Sequence, residues 1–282
     1  MAYKTLLVVL DEDRRSSERL TLAATLAERF DAHLVGLYAS IGPEPPGRFD
    51  RFNTYGPVLR PIYEGVEAWI REQGEAMRAG FEAVVKRQSI SAEWRMASGY
   101  PAHQVALHGR GADLIILGQI DGSDPWSSLL HPAPQEVALT SGRPILVVPY
   151  IGHFEQIGRH VLIGWDASRE ASRALSDAMP LLAAASTVTV TTIDAEEACA
   201  KDAVPDTDIA LYLARHGVKA SIERTVSAGV DVGNLLLSRA SDLDADLLVM
   251  GAYGHARVRE LLLGGATRTV LATTPVPVLM SH

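Results

Sequence analysis

At 282 residues, 47% of them hydrophobic and only 6% aromatic, the chain is long enough for two cores, and those cores should be aliphatic. A formal net charge of −8, with no face-long cluster of Lys or Arg, argues against a nucleic-acid partner. The single cysteine, Cys199, excludes an internal disulfide, no apolar run reaches the roughly 18–20 residues of a membrane span, and the first residues do not read as a signal peptide, so a cytoplasmic protein without membrane contact is expected.

The chain opens on a short apolar run that ends in an acid, Tyr3-Lys-Thr-Leu-Leu-Val-Val-Leu-Asp11. A serine- and arginine-rich turn and an alanine-rich helical pattern follow it. The same order returns at Arg159-His-Val-Leu-Ile-Gly-Trp-Asp166. Further on, Ala112-Asp-Leu-Ile-Ile-Leu-Gly118 is repeated as Ala245-Asp-Leu-Leu-Val-Met-Gly251, and Arg143-Pro-Ile-Leu-Val-Val-Pro149 as Val276-Pro-Val-Leu-Met280. The offset is 155 residues at the first pair and 133 at the later ones, so the first copy carries 22 more residues. The proline- and glycine-rich stretch near 41–62 is the natural place for them, as a loop or extended excursion. A duplicated unit follows, with domains at 1–150 and 157–282.

In the second copy, apolar runs predict strands at 161–165, 187–193, 221–226, 247–251 and 276–280. Helical patterns predict helices at 170–184, 206–216, 230–243 and 267–273. The first copy has the same order, with a longer helix around 66–87. Aliphatic strands separated by helices imply a parallel sheet covered on both faces. The predicted fold is therefore α/β, two tandem doubly wound parallel-sheet domains of five strands each, in the order 3-2-1-4-5. The last strand of each copy is a sheet edge, so the two domains are expected to pair within the chain through these strands, and a homodimer is a further possibility. In such sheets the ligand crevice opens where strands one and four diverge. Asp166 and Gly251 end those two strands in the second copy. After Gly251 come Gly254 and the pair Gly264-Gly265, just before a helix start, where backbone N–H groups and the helix dipole favour an anion.

With Gly251-x2-Gly254-x9-Gly264 between a strand and a helix, in a chain holding two copies of the unit, the sequence resembles the universal stress protein family in its tandem form, over nearly its whole length. The resemblance implies a site for ATP, or for ADP or AMP, in the second copy, with Mg2+ accompanying a triphosphate. Carried over position by position, it gives Asp166 to the adenosine end and Gly164 and Thr192 to the adenine pocket. Met250, Gly251, Tyr253 and Gly254 fall along the ribose and phosphate path. Gly264, Gly265, Ala266 and Thr267 fall at the phosphates, with Thr267 adding a hydroxyl. The chain departs from the family pattern at Gly265, where Ser or Thr is common, and at Ala167, where glycine is frequent. The first copy departs further: Gln119-Ile-Asp-Gly122 follows Gly118, the glycine pair is missing, and His131-Pro-Ala-Pro134 stands in its place. Proline offers no N–H donor. A structural first domain and a single nucleotide site in the second are expected.

Other chemistries find no support. The chain has no Gly-x4-Gly-Lys-[Ser/Thr] loop, no Gly-x-Gly-x-x-Gly after either first strand, and no Ser-Gly-Gly-x-Asp-Ser loop. His255, Arg257 and Arg268 flank the glycine motif as candidate phosphate contacts, each with a plain solvated reading beside it, and Arg259 reads as the partner of Glu260. Asp242, Asp244 and Asp246 read as a solvated turn, Cys199 as an inert thiol, and Trp126 as either an interface anchor or a packed side chain. The expected function is a stress-response protein that binds an adenine nucleotide in its C-terminal domain, as a signalling or regulatory module with no catalytic residue to name. A nucleotide-free interaction module is the alternative, and a slow ATPase the third reading.

Overall fold

The computed structural model describes residues 2–13, 15–42, 56–124, 131–193, 206–254 and 265–282. The first half runs β1 (Thr5–Leu10), α1 (Ser16–Phe30), β2 (His33–Ser40), α2 (Gly56–Gln88), β3 (Ala92–Ser98), α3 (Pro101–Gly109), β4 (Leu114–Gly118), α4 (Pro134–Ser141), β5 (Ile145–Val148). The second half runs β6 (His160–Gly164), α5 (Arg169–Asp177), α6 (Met179–Leu182), β7 (Thr187–Ile193), α7 (Asp206–Arg215), β8 (Ala220–Thr225), α8 (Val232–Asp242), β9 (Leu247–Gly251), α9 (Gly265–Thr273), β10 (Val278–Ser281).

All ten strands form one sheet in the order β3-β2-β1-β4-β5-β10-β9-β6-β7-β8. Each half is parallel and ordered 3-2-1-4-5 in its own count. The halves join where β5 meets β10 antiparallel, with Val147 opposite Val278 and Ile145 opposite Met280. That junction covers two apolar edges at once, since every residue of β5 and β10 is buried. Strands near the centre are apolar on both faces, whereas the outermost strands, β3 and β8, alternate between half-buried and exposed positions. Alternation within β1 feeds two cores, Leu6, Val8 and Leu10 into one and Leu7 and Val9 into the other. Both cores run through both halves.

The aspartates of the repeated Ala-Asp-Leu segments explain themselves here. Asp113 accepts from the backbone N–H groups of Lys4 and Thr5, and Asp246 from those of Gly158, Arg159 and His160. Each ties the start of strand four to the start of strand one, so Asp246 is a structural staple rather than a solvated turn residue.

Two predicted helices need correction. The run at 170–184 is cut at Ala178 into α5 and α6, because Pro180 lacks an N–H and its ring clashes with the carbonyl four residues back. The helix at 66–87 begins earlier, at Gly56, so the end of the stretch at 41–62 is helical rather than an excursion. Residues 43–55 of that stretch lie outside the described residues. Among the described residues no helix is long and apolar enough to cross a membrane.

Candidate functional site

Side by side, β6 and β9 end on Gly164 and Gly251, with Gly164 opposite Met250 in register. Beyond their ends lies a cavity of about 380 Å³. It lies within the size range of small-molecule sites. Nine of the eleven predicted residues line it: Gly164 from the end of β6, Asp166 from the turn after it, Met250 and Gly251 from β9, Tyr253 and Gly254 from the following turn, and Gly265, Ala266 and Thr267 from the first turn of α9. Gly264 lies outside the described residues, as do Trp126, Cys199, His255, Arg257, Arg259 and Glu260. Arg268 is exposed and does not line the cavity.

Thr192 is a correction. Successive residues of a strand face opposite sides of the sheet. Thr191 and Ile193 line the cavity, whereas the hydroxyl of Thr192 donates to the Glu223 carbonyl at 3.3 Å. Thr191, opposite Gly164 in the β6–β7 register, is 1% exposed, and its Oγ1 has no hydrogen-bond partner among the described residues. A buried hydroxyl without a partner costs about 1–3 kcal/mol. A ligand that bonds it after the side chain turns its hydroxyl into the cavity recovers that cost.

Asp231 also lines the cavity and was not foreseen. It caps α8, accepting from the Asn234 N–H through Oδ1 at 3.0 Å. An aspartate just before a helical pattern is an N-cap signature, and that was the signal in the sequence.

The glycines do different work from that expected. A Cβ on Gly251 would lie 2.5 Å from the Ala171 nitrogen and 2.7 Å from the Glu170 carbonyl carbon. A Cβ on Gly254 would lie 2.8 Å from Ser168 Oγ. Both glycines let the first turn of α5 dock on the end of β9. They shape the cavity through that helix, which carries the turn presenting Asp166. Ser168 caps α5 by accepting from the Ala171 N–H, and its own N–H donates to Asp166 Oδ1 at 3.0 Å. Ala167, in the middle of this turn, has φ +57. An L-residue pays a strain of about 1–2 kcal/mol there, which is why glycine suits the position. Thr267 is engaged as well: its Oγ1 accepts from the Tyr253 N–H at 3.1 Å and ties α9 to the turn after β9. At Gly265 a Cβ would meet nothing nearer than Asp231 Oδ2, at 3.7 Å, among the described residues.

The described lining carries two carboxylates, Asp166 and Asp231, and no Lys or Arg. A third, Glu170, is buried behind Gly254. Burial pushes its pKa up, but the Arg169 guanidinium and its own backbone N–H outweigh this and hold it below the ordinary carboxylate range. The positive end of α9 is therefore the anion-attracting feature among the described residues. No group of three or more metal-binding side chains occurs among them. A divalent cation here would be held chiefly by a ligand's own phosphates.

In the first half a buried guanidinium stands beside the corresponding strand ends. Arg19, on the buried side of α1, is 1% exposed. Its Nε donates to the Val9 carbonyl at 2.8 Å and its Nη2 to Asp11 Oδ1 at 2.5 Å. Its Nη1 lies 2.2 Å from where a Cβ on Gly118 would be. His131 Nδ1 approaches Asp11 from the other side, at 3.2 Å. By the repeat offset, Asp11, Gly118 and Arg19 correspond to Asp166, Gly251 and Ala174. A guanidinium stands where the second half keeps an alanine.

The family model described as the universal stress protein family matches residues 158–282. A universal stress protein of Synechocystis sp. (strain ATCC 27184 / PCC 6803 / Kazusa) is 37% identical over 67 residues, which is 24% of this chain and 22% of that relative's length. Among solved structures, a universal stress protein from Archaeoglobus fulgidus DSM 4304 matches with TM-score 0.71 and 16% identity, over 98% of this chain and 94% of its own. A functionally unknown protein from Pseudomonas aeruginosa PAO1 matches with TM-score 0.58 and 17% identity, over 99% and 92%. At these identities the likeness speaks for the fold, and it spans both halves.

Proposed function

We propose that this chain, whose residues 158–282 belong to the universal stress protein family, binds an adenine nucleotide in the crevice of its second half and acts as a nucleotide-dependent regulatory module in stress response. The observation that carries the reading is one cavity with two features on its lining: Thr191, whose hydroxyl has no partner among the described residues, and the N-terminal turn of α9. A base with ring nitrogens and an amino group satisfies the first. A phosphate satisfies the second. Asp166, on the same lining, is an acceptor suited to groups that donate, as ribose hydroxyls and the adenine amino group do. With Asp166 and Asp231 on the lining, ATP binding should strengthen when Mg2+ is present, since the cation offsets the charge of the phosphates.

Thr191→Val separates this reading from a nucleotide-free module by the sign of two effects. Removing an unsatisfied hydroxyl should leave the ligand-free protein as stable or about 1 kcal/mol more stable. The same change should weaken ATP, ADP or AMP binding, measured by calorimetry with and without Mg2+, by about fivefold. No heat with any of the three nucleotides on the wild-type protein, and none co-purifying by mass spectrometry, would leave the interaction module as the reading. That second reading draws on Gly265, where the helix start offers a phosphate no side-chain hydroxyl. Gly265→Ser has room for its side chain, and its hydroxyl should tighten ATP binding by about tenfold in the same titration. Weaker binding in that variant would mean the phosphates do not lie against α9.

A further inference from the structure

In the first half, Gln119 is the first residue after β4. It is 5% exposed, so its amide must be satisfied inside the protein. Its Oε1 accepts from the Tyr150 N–H at 3.3 Å, and its backbone N–H donates to the Val148 carbonyl at 2.8 Å. Its Nε2 donates at 3.1 Å to the carbonyl of Leu271, 152 residues away in α9. Leu271 lies in the last turn of α9, where carbonyls have no partner within the helix. Gln119 thus caps, from the first half, the C-terminal end of the helix whose N-terminal turn lines the second-half cavity.

α9 has only nine residues, roughly 13 Å at 1.5 Å per residue, so a hold on one end fixes the direction of the other. Thr267 ties its N-terminal turn to Tyr253, and Gln119 ties its C-terminal turn to the end of β4. The arrangement runs one way. Gln119 corresponds to Ala252 in the second half, and an alanine side chain has nothing to donate to α4, the counterpart of α9.

We infer that Gln119 is a positioning residue for the second-half site: from the end of β4 it aims the backbone N–H groups of Gly265, Ala266 and Thr267 at the bound anion. The affinity consequence rests on the nucleotide reading above; the clamp on α9 does not.

Two variants and two readouts test it. Gln119→Leu removes both side-chain hydrogen bonds. Gln119→Glu keeps an acceptor for the Tyr150 N–H but faces the Leu271 carbonyl with an oxygen that cannot donate when ionised. Both should speed amide hydrogen exchange across residues 266–273 by about threefold to tenfold in the ligand-free full-length protein, with β1 and β2 unchanged. Both should weaken ATP binding with Mg2+ by a similar factor. Wild-type exchange along α9 in either variant would overturn the clamp. If exchange quickens in both and the wild-type protein binds nucleotide, unchanged affinity would overturn the positioning role. If the wild-type protein binds no nucleotide, the nucleotide reading fails, and the exchange result alone upholds or overturns the clamp.

Discussion

Arg19→Met is expected to destabilise the fold by about 3–5 kcal/mol, the cost of breaking a buried ion pair by removing one partner. Methionine fills much of the space but leaves Asp11, 5% exposed, with His131 as its remaining close cation among the described residues and the Val9 carbonyl without its guanidinium donor. The double variant Arg19→Met, Asp11→Leu should recover most of the loss, since replacing both members of a buried pair by apolar groups is often neutral or better. Urea melts of the four proteins give the coupling energy directly. A single variant that loses under about 1 kcal/mol would mean that the pair contributes little and that water reaches Asp11.

The pH dependence carries the same signature. Burial alone would raise the pKa of Asp11, but Arg19 first and His131 next overcome it and hold the carboxyl at about 2. A depressed carboxylate contributes stability that is whole above its unfolded value and is lost as pH falls through the folded one. The wild-type protein should therefore weaken between about pH 4 and pH 2. His131 runs the other way. Burial favours its neutral form, yet Asp11 raises its pKa, so its contribution is present below about pH 6.5 and is lost as pH rises above its folded value. With Arg19 gone, His131 is the main cation left for Asp11 among the described residues, and Arg19→Met should lose more stability than the wild type as pH rises above the folded pKa of His131.

Arg19 was open to reading in the sequence. Four residues on from Ser16 comes Leu20, three, four and seven on from Arg19 come Leu22, Ala23 and Leu26, and all four are buried, so a charge stands on the apolar side of an amphipathic helix. It passed as part of a solvated, arginine-rich turn because periodicity says which face is buried, not which partner a buried charge meets. The strand order and the two copies were legible because aliphatic runs, helical spacing and the repeated Ala-Asp-Leu and Pro-aliphatic segments agree with one another. Helix breaks were legible only in part: Pro180 was in plain view, but alanines on both sides masked its effect. Thr192 for Thr191 is a one-residue strand register error, and one residue exchanges the faces. Asp231 was missed because it belongs to a cap thirty-four residues before Gly265, and only the folded sheet brings the two together.

Gly251→Ala should fail before any ligand is added. The motif suggests a Cβ pressed against a nucleotide, but the nearest atoms are the Ala171 nitrogen and the Glu170 carbonyl carbon, at 2.5 and 2.7 Å. Both are backbone in the first turn of α5 and cannot swing aside as a side-chain tip would. Either α5 withdraws or the end of β9 bends, at a cost of about 3 kcal/mol, the upper end of what overpacking exacts. Withdrawal of α5 carries Ser168 with it, and with Ser168 the N–H that orients Asp166. Nucleotide affinity should then fall by an order of magnitude or more as a consequence of the displaced helix, and the melting temperature of the ligand-free protein should fall with it, by several degrees. Gly265→Ser is the contrasting case, because among the described residues its Cβ meets nothing nearer than 3.7 Å and its fold should hold. If Gly251→Ala melts like the wild type without ligand and loses affinity alone, the glycine faces the nucleotide after all and the packing account of this motif is wrong. If it loses stability and keeps its affinity, α5 does not carry Asp166 to the ligand.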